Sequence, residues 1–432
     1  MAPELAPDRS SSLTPPERAL LIGVEPFRGA TQYALEELGQ LVEAAGMEPV
    51  QVMVQTRPRA HPLSYFGKGK VKEVAALIAA EDLEIVVVNA ELSARQVATL
   101  SERLEVRVLD RTEVILEIFS RHAHTPEGRL QVELARLEYL LPRLIGRGQG
   151  MSQIAGGRAG MTGVRGPGET RLELDRRLLR RKMTRLRHSL EDIRQRREVE
   201  RAERRESGQT LVGLVGYTNA GKSSLLNALA GTQVVTANDR LFETLDTTIR
   251  RIDLGEGAET LVSDTVGFIN DLPTDLVSAF RATLEETGFA DLLILIVDAA
   301  DERVERQLET VEEVLGDLKV LDKPRLLVLN KWDRLDAQER RDLQTIFPRA
   351  IPISATTGEG LDELREELRR RLTMELVPLT LHLPYNRLQL MHFPASQGRV
   401  LSSDYQEDYV LVRVRVQPRL VDSLRQYVVN EA

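Results

Sequence analysis

The chain has 432 residues, of which 42% are hydrophobic and 29% charged, and it contains no cysteine. This length and apolar content predict about two to four globular domains and exclude a mostly disordered protein, while the lack of Cys excludes disulfides and thiolate metal sites. The net charge of −8 by itself argues against nucleic-acid binding. The distribution of charge along the chain is more informative than this total.

Residues 1–18 are rich in Pro and Ser and lack the apolar core of a signal peptide, which predicts a disordered tail. No apolar run approaches the about 20 residues that a membrane span needs. We therefore expect a soluble, cytoplasmic protein without a membrane span.

Short runs rich in Val and Ile alternate with helical patterns in residues 19–122. The strand-like runs lie at 20–24, 50–54, 85–88 and 106–109, and the helical patterns at 33–45, 71–80 and 94–104. This alternation predicts a parallel sheet with crossover helices. Residues 19–122 are thus assigned to an N-terminal α/β domain, with a further helix at 112–120.

Residues 123–207 predict a helical hairpin. One helix covers 130–144, and nine glycines between 146 and 168 predict a loop, because glycine has the largest backbone ordering cost. A second helix follows with an apolar seam at heptad spacing, formed by Leu172, Leu179, Met183, Leu186, Leu190 and Ile193. The seam favours antiparallel pairing with the first helix, and pairing between two chains is the alternative.

Residues 208–372 resume the α/β pattern and open with a phosphate-binding motif. The motif follows the apolar run 211–215, precedes the helical pattern 224–230, and comprises Gly216, Tyr217, Thr218, Asn219, Ala220, Gly221, Lys222 and Ser223, with Ser224 next. Strand, loop and helix in this order predict a P-loop, in which Lys222 binds the outer phosphates and the Ser223 hydroxyl binds Mg²⁺.

Two further motifs complete a predicted guanine-nucleotide site. Asp264, Thr265, Val266 and Gly267 follow a strand-like run, so Asp264 is expected to hold Mg²⁺ through water and the Gly267 N–H to reach the γ-phosphate. Another strand-like run, 325–329, leads into the guanine-selecting pattern N-K-x-D, formed by Asn330, Lys331, Trp332 and Asp333. The Asp333 carboxylate accepts from guanine N1–H and the 2-amino group, which predicts GTP rather than ATP.

A last loop is expected to meet guanine O6 through backbone N–H groups, and it comprises Ser354, Ala355 and Thr356. Between the first two motifs a switch segment contains Phe242, Glu243, Thr244, Leu245 and Asp246. We favour Thr244 as the second direct Mg²⁺ ligand, with Thr247 and Thr248 as alternatives. Lys222, Thr244 and Gly267 are the candidate catalytic residues.

The residue after the D-x-x-G motif is Phe268, which cannot orient the attacking water as a glutamine would. Slow intrinsic GTP hydrolysis, stimulated by a partner, is therefore expected. Asn219 is a candidate K⁺ ligand beside the phosphates, and support of the loop geometry is the alternative.

The chain resembles the HflX family of ribosome-associated GTPases, from about residue 20 to 372. Three strings carry the resemblance: Y-F-G-K-G-K at 65–70, R-G-P-G-E-T-x-L-E-x-D-R-R at 165–177, and F-E-T-L-D at 242–246. The resemblance implies a multidomain α/β protein that binds the large ribosomal subunit and splits or recycles stalled ribosomes under stress. It also supports Thr244 and suggests ATP binding by the N-terminal domain.

Residues 171–205 hold 14 Arg or Lys against 7 Asp or Glu. With the loop before them they predict contacts to rRNA phosphates, the alternative being a solvated helix face. The candidate contacts are Arg147, Arg158, Arg165, Arg176, Arg177, Arg180 and Arg181. Residues 66–70 are either a second phosphate or RNA site or a basic turn.

Residues 373–432 predict a small α+β C-terminal domain, with strands at 379–383 and 409–416 and a helix at 420–429. The protein is expected to be a monomer. Two other functions stay open: a passive GTP-gated RNA-binding protein that masks a subunit, and a switch that acts on a protein partner through the heptad seam.

Overall fold

The computed structural model describes residues 15–29, 31–144, 171–206, 209–231, 242, 248–255, 258–265, 267–269, 286–373, 377–391, 398–416 and 418–429. Most of the predicted tail and all of the Gly-rich loop 146–168, with Arg147, Arg158 and Arg165, lie outside these residues. The described residues form two compact units, Met1–Arg121 with Arg136–Met183, and His122–Ala135 with Thr184–Ala432.

The first unit contains the expected parallel sheet. Its strands are β1 (Arg18–Glu25), β2 (Glu48–Thr56), β3 (Ile85–Val88) and β4 (Arg107–Asp110), in the order β2-β1-β3-β4. The crossover helices are α1 (Gln32–Ala44), α2 (Lys68–Glu81) and α3 (Ala94–Leu104). All four residues of β3 are buried, as a parallel strand covered on both faces requires.

The helical part differs in detail from the sequence prediction. Helix α4 spans Arg111–His122, α5 spans Pro126–Leu140, and a 3-10 turn at Leu141–Leu144 replaces the predicted last helical turn. Proline is favoured at a helix start, which explains why α5 begins four residues before the predicted 130. The long helix α6 spans Arg171–Glu206.

The predicted seam of α6 is apolar and partly enclosed. Leu179, Met183 and Leu186 are buried. An ion pair of 2.6 Å joins Arg197 near the end of α6 to Glu127 in the first turn of α5. Antiparallel pairing of the two helices requires such a contact. None of the helices in the described ranges has the length and apolar character to cross a membrane.

The second unit contains a six-stranded sheet in the order β10-β9-β8-β5-β7-β6. Its strands are β5 (Leu211–Gly216), β6 (Thr248–Asp253), β7 (Glu259–Asp264), β8 (Leu292–Asp298), β9 (Arg325–Asn330) and β10 (Ile351–Pro352). Only the β6–β7 pairing is antiparallel among these strands. Strands β6 and β8 were not identified from the sequence.

Four helices accompany this sheet in the described residues: α7 (Lys222–Ala230), α8 (Val304–Asp317), α9 (Ala337–Ile346) and α10 (Leu361–Thr373). Because the sheet is parallel apart from β6, the carboxyl ends of β5, β7, β8 and β9 meet at one edge, where a ligand of a doubly wound sheet binds. The P-loop, D-x-x-G, N-K-x-D and the last predicted loop follow strands β5, β7, β9 and β10 in turn.

The C-terminal residues form the expected small α+β fold. Strands β11 (Val377–Pro384), β12 (Gly398–Tyr405) and β13 (Tyr409–Val416) make an antiparallel sheet in the order β11-β13-β12. A helix was predicted at 420–429. Helix α11 spans Pro418–Leu424 instead, and a 3-10 turn follows it at Arg425–Tyr427. Strand β12 was not identified from the sequence.

A buried ion pair ties α4 to α1 in the first unit. The Arg111 guanidinium donates to the Glu37 carboxylate and, at 3.3 Å, to Asn89 Oδ1. Both charged side chains are less than 10% exposed. Removing one partner of such a pair leaves a buried charge without compensation, which destabilises a fold by about 3–5 kcal/mol.

We therefore expect Glu37→Ala to lower the urea midpoint of the far-UV circular dichroism transition of the first unit. The matched control is Glu17→Ala, which removes the exposed partner of Arg107 and changes stability by about 1 kcal/mol at most. Trp332 is the single tryptophan of the chain and lies in the second unit. The urea midpoint of its fluorescence therefore measures unfolding of the second unit and serves as an internal reference. Equal midpoints for Glu37→Ala and Glu17→Ala would contradict the prediction.

Candidate guanine-nucleotide site

The P-loop leaves β5 and turns sharply into α7. A Cβ on Gly216 would lie 2.2 Å from the carbonyl oxygen of Ile296 in β8, so only glycine fits there. Asn219 and Gly221 have φ angles of 60° and 91°, and these left-handed positions reverse the chain before the helix. The loop therefore presents the N-terminus of α7 at the edge of the sheet, where backbone N–H groups and the helix dipole favour an anion.

Lys222 and Ser223 begin α7 and point to the neighbouring motif. Lys222 Nζ donates to the carbonyl oxygens of Tyr217 at 2.9 Å and Gly216 at 3.2 Å. The Ser223 hydroxyl donates to Asp264 Oδ2 at 2.7 Å. Burial lowers the pKa of Lys222 from its ordinary value to about 8, and the charge of Asp264 opposes this shift.

The D-x-x-G segment is fastened to the P-loop by backbone hydrogen bonds. The Thr218 N–H donates to the Phe268 carbonyl at 2.7 Å, and the Phe268 N–H donates to the Gly216 carbonyl at 3.1 Å. The ring of Phe268 is buried in an apolar cluster with Leu211 and Ala290. It is therefore part of the core and contributes no polar group to the site.

The guanine-selecting motif is braced by Asn330 at the end of β9. Asn330 Nδ2 donates to the Ala220 carbonyl at 2.8 Å, and its Oδ1 accepts from the Ala355 N–H at 3.0 Å. Asn330 thus joins the phosphate loop to the last base loop, and its amide groups serve this structural role. Asp333 is exposed at the same edge.

Lys331 and Trp332 lie on either side of this brace. Lys331 has a φ of 62° and its Nζ lies 2.7 Å from Asp298 Oδ2 at the end of β8. Trp332 is buried, and its backbone N–H donates to the Ile353 carbonyl at 3.0 Å. Trp332 was predicted among the nucleotide-binding residues, but its ring belongs to the core with Val297 and its neighbours.

The last loop is closed by hydrogen bonds of its own. Ser354 is buried, its N–H donates to the Glu359 carbonyl at 2.9 Å, and its Oγ accepts from the Thr357 N–H at 3.0 Å. Ala355 is half-buried and Thr356 is exposed. The turn leaves Thr356 exposed, and the Ala355 N–H is held by Asn330 of the N-K-x-D motif, so contact of this loop with a base stays a prediction.

Most of the predicted switch, namely Glu243, Thr244, Leu245, Asp246 and Thr247, lies outside the described residues, as does Val266 of the D-x-x-G motif. Phe242 is buried with a φ of 57°. Thr248, one of the alternatives to Thr244, begins β6 opposite Asp264. The choice of Thr244 therefore stays a prediction, as does the K⁺ role of Asn219.

Four family models match successive parts of the chain. They are described as "GTP-binding GTPase N-terminal" (32–120), "GTP-binding GTPase Middle Region" (122–204), "50S ribosome-binding GTPase" (211–331) and "HflX C-terminal domain" (344–428). The chain is 38% identical to GTPase HflX of Caldanaerobacter subterraneus subsp. tengcongensis, over 96% of this chain and 94% of the relative.

It is also 40% identical to GTPase HflX of Escherichia coli K12, over 94% of each chain. The chain belongs to the HflX GTPase family. Hydrolysis of GTP, which the order of the motifs predicted, is the activity of this family member. Among solved structures, a GTP-binding protein from Sulfolobus solfataricus in complex with GDP is 25% identical, with a TM-score of 0.45 over 82% of this chain and 98% of that one.

The candidate site contains oxygen atoms that suit Mg²⁺ as ligands. The Ser223 hydroxyl and the Asp264 carboxylate lie within hydrogen-bond distance of each other at the mouth of the P-loop, and both are oxygen ligands of the kind that Mg²⁺ prefers. When bound, the ion neutralises phosphate charge. Among the described residues no group of three His, Asp or Glu side chains could hold a metal alone, and a Mg²⁺ that takes most of its ligands from phosphate and water needs none.

The predicted RNA contacts fall partly within the described chain. Arg177, Arg180 and Arg181 are exposed on α6, and Arg176 is half-buried. Their spacing of three or four residues places Arg177 on one helix face with the other two exposed arginines. In the N-terminal string, Phe66 is buried and Lys70 pairs with Glu73 at 2.7 Å, which accounts for part of that string as the start of α2.

One supporting residue and one supporting backbone contact were missed in the sequence. Asp298, which pairs with Lys331, ends β8, and the apolar run 292–297 before it was the available signal. The carbonyl of Phe268 fastens the D-x-x-G segment, but a backbone hydrogen bond leaves no mark on residue type.

The lowered pKa of Lys222 predicts a pH-dependent affinity for Mg²⁺·GDP. Above pH 8 the free protein loses the Lys222 proton, whereas bound phosphates favour the charged form, so binding takes up a proton. The dissociation constant should rise about fourfold between pH 7 and pH 8.5. Calorimetric titrations in buffers of different ionisation enthalpy measure the proton uptake. Guanosine, which lacks phosphates, is the control ligand, and a constant affinity for GDP over this range would contradict the prediction.

The position of Asp333 predicts a change of base preference. In Asp333→Asn a neutral amide replaces the carboxylate that accepts from two guanine donors, so GDP affinity should fall about 100-fold or more. The new amide N–H₂ can donate to the 2-carbonyl of xanthine, so xanthosine diphosphate should bind better than GDP. Competition against a fluorescent nucleotide measures both, with the exposed Asp342→Asn in α9 as control. Unchanged preference for guanine would rule out this role of Asp333.

Proposed function

We propose that this HflX-family GTPase binds the large ribosomal subunit in its GTP state and splits or recycles stalled ribosomes. The observation that carries the proposal is the match of residues 211–331 to a family described as a 50S ribosome-binding GTPase, a range that includes the P-loop and the D-x-x-G motif and reaches the start of N-K-x-D. The proposal includes Mg²⁺ as cofactor, with Ser223 and Asp264 as protein groups and Thr244 as the switch ligand.

The basic face of α6 supports an RNA partner. Arg177, Arg180 and Arg181 are exposed in a segment with seven more basic than acidic residues. Arginine binds phosphate through a planar, always charged group, so such a face suits the phosphates of rRNA. In this proposal the Gly-rich loop 146–168 before α6 contributes Arg147, Arg158 and Arg165.

The buried position of Phe268 supports slow hydrolysis without a partner. Its ring lies in the core, so the position that follows D-x-x-G supplies no group to orient water. A partner must then complete the site, as trans-acting groups do in other GTPases. We infer that the large subunit is that partner.

Hydrolysis by the purified protein should therefore rise at least about tenfold when isolated large subunits are added at physiological K⁺ and Mg²⁺. Isolated small subunits serve as the control. Firm GTP binding without stimulation by large subunits would remove the ribosome from the proposal and favour a switch that acts on a protein partner.

Density-gradient separation distinguishes active splitting from passive masking. With a non-hydrolysable GTP analogue, the protein should convert 70S ribosomes into free subunits. A protein that only masks a subunit would bind free large subunits and leave 70S ribosomes intact.

The arginines of α6 should account for part of the salt dependence of ribosome binding. For Arg177→Gln/Arg181→Gln, the slope of log affinity against log salt should decrease by about 0.7–0.9 for each phosphate that an arginine no longer neutralises. The charge-matched control is Arg306→Gln/Arg349→Gln, which removes two exposed arginines that lie in the second unit and not on α6. Equal slopes for the two variants would show that α6 is a solvated charged face.

A further inference from the structure

The last turns of α6 are held by a buried carboxylate. Glu286 Oε1 lies 2.6 Å from Arg201 Nη2 and 3.5 Å from Arg197 Nη1. The Glu286 and Arg201 side chains are only 3% and 8% exposed. All three residues belong to the second unit. We call Arg197, Arg201 and Glu286 the α6 joint.

The α6 joint is completed by two further contacts. The Arg201 guanidinium lies 4.0 Å from the centre of the Phe289 ring, a cation–π contact that suits the planar group of arginine. Arg197 also pairs with Glu127 at 2.6 Å. Two cations thus meet two anions, and the Arg201–Glu286 pair among them is almost fully buried, so loss of either partner would leave a buried charge without compensation.

The residues that follow Glu286 fasten this joint to the P-loop strand. Asp291 donates its N–H to the Leu211 carbonyl at 2.7 Å, and its Oδ2 accepts from the Leu211 N–H at 2.8 Å. Ala290 packs in the same buried cluster as Phe268. A displacement of residues 286–291 therefore reaches the P-loop strand through Asp291, and the D-x-x-G segment through the apolar cluster that contains Phe268.

That segment lies close to the phosphate-binding lysine. A Cβ built on Gly267 would be 2.8 Å from Lys222 Nζ and 2.9 Å from Thr218 Cα. The γ-phosphate is expected between Lys222 and the Gly267 N–H, and it is the group that GDP lacks. Gly267 thus lies directly against Lys222 and Thr218, and we expect it to move outward when the γ-phosphate binds.

We propose that Glu286 is a positioning residue whose ion pairs with Arg197 and Arg201 set the preference of the site between GDP and GTP. With the α6 joint intact, residues 286–291 hold Phe268 and Gly267 in the close position, which favours GDP. A movement of α6 that loosens the joint frees Gly267 to accept the γ-phosphate. By thermodynamic reciprocity, GTP in turn loosens the hold on α6.

The test compares affinities for GDP and for a non-hydrolysable GTP analogue, both with Mg²⁺, in the full chain. Glu286→Gln removes the charge and keeps the shape of the side chain. We expect the ratio of the GDP to the GTP-analogue dissociation constants to rise about fivefold or more. Arg201→Gln should shift the ratio in the same direction, and the double variant should shift it no further than the larger single change, since both act through one joint.

The matched control is Glu367→Gln. Glu367 also lies between two arginines, Arg370 at 2.6 Å and Arg371 at 2.7 Å, but all three belong to α10. Removal of this charge should leave the ratio unchanged. Arg201→Lys keeps the charge but loses the planar group that stacks on Phe289, so it should shift the ratio in the same direction as Arg201→Gln but by less.

A purely structural role would lower the melting temperature and leave the ratio of the two affinities alone. A ratio for Glu286→Gln within twofold of the unaltered protein, or a shift toward GDP, would therefore overturn the proposal. If Glu286→Gln does not fold, as judged by loss of GDP binding, Arg201→Gln decides by the same criterion. The outcome does not depend on the ribosome, so it is separate from the proposed function.

Discussion

One buried amide holds the nucleotide site together. Asn330 donates to the phosphate loop and accepts from the base loop, and the residue it reaches in the phosphate loop is 110 positions away in the chain. Because an amide carries a donor and an acceptor at a fixed separation, it sets the distance between the two loops. The predicted phosphate-binding and base-selecting motifs are thus held at one distance from each other.

Much of the fold was predictable because its signals are local. The alternation of apolar and helical patterns predicted the parallel sheet of the first unit, and the P-loop string lies between β5 and α7 as its spacing requires. Helix α3 and strands β3 and β13 begin and end at the predicted residues. Helix α5 differs from its predicted bounds by four residues at each end. It begins at a proline, and a 3-10 turn replaces its predicted last turn.

The rest depends on contacts between distant residues. Strand β6 has two adjacent arginines instead of an alternating pattern, so only its pairing with β7 makes it a strand. The burial of Trp332 and the ion pairs of Glu286, one of them with a residue 85 positions away, depend on how separate elements pack. Residue type alone does not report such partners, and supporting residues were therefore harder to find than the motifs themselves.

The edges of the six-stranded sheet bear on a different property, the resistance of the protein to aggregation. An unpaired strand edge is a template on which another chain can add a strand. Here one edge is β10, only two residues long, and the other is β6, whose Arg250 and Arg251 are exposed. Short length and charge are the two means by which natural sheets avoid edge-to-edge pairing. The sheet that carries the candidate nucleotide site is thus protected from edge-to-edge pairing at both ends.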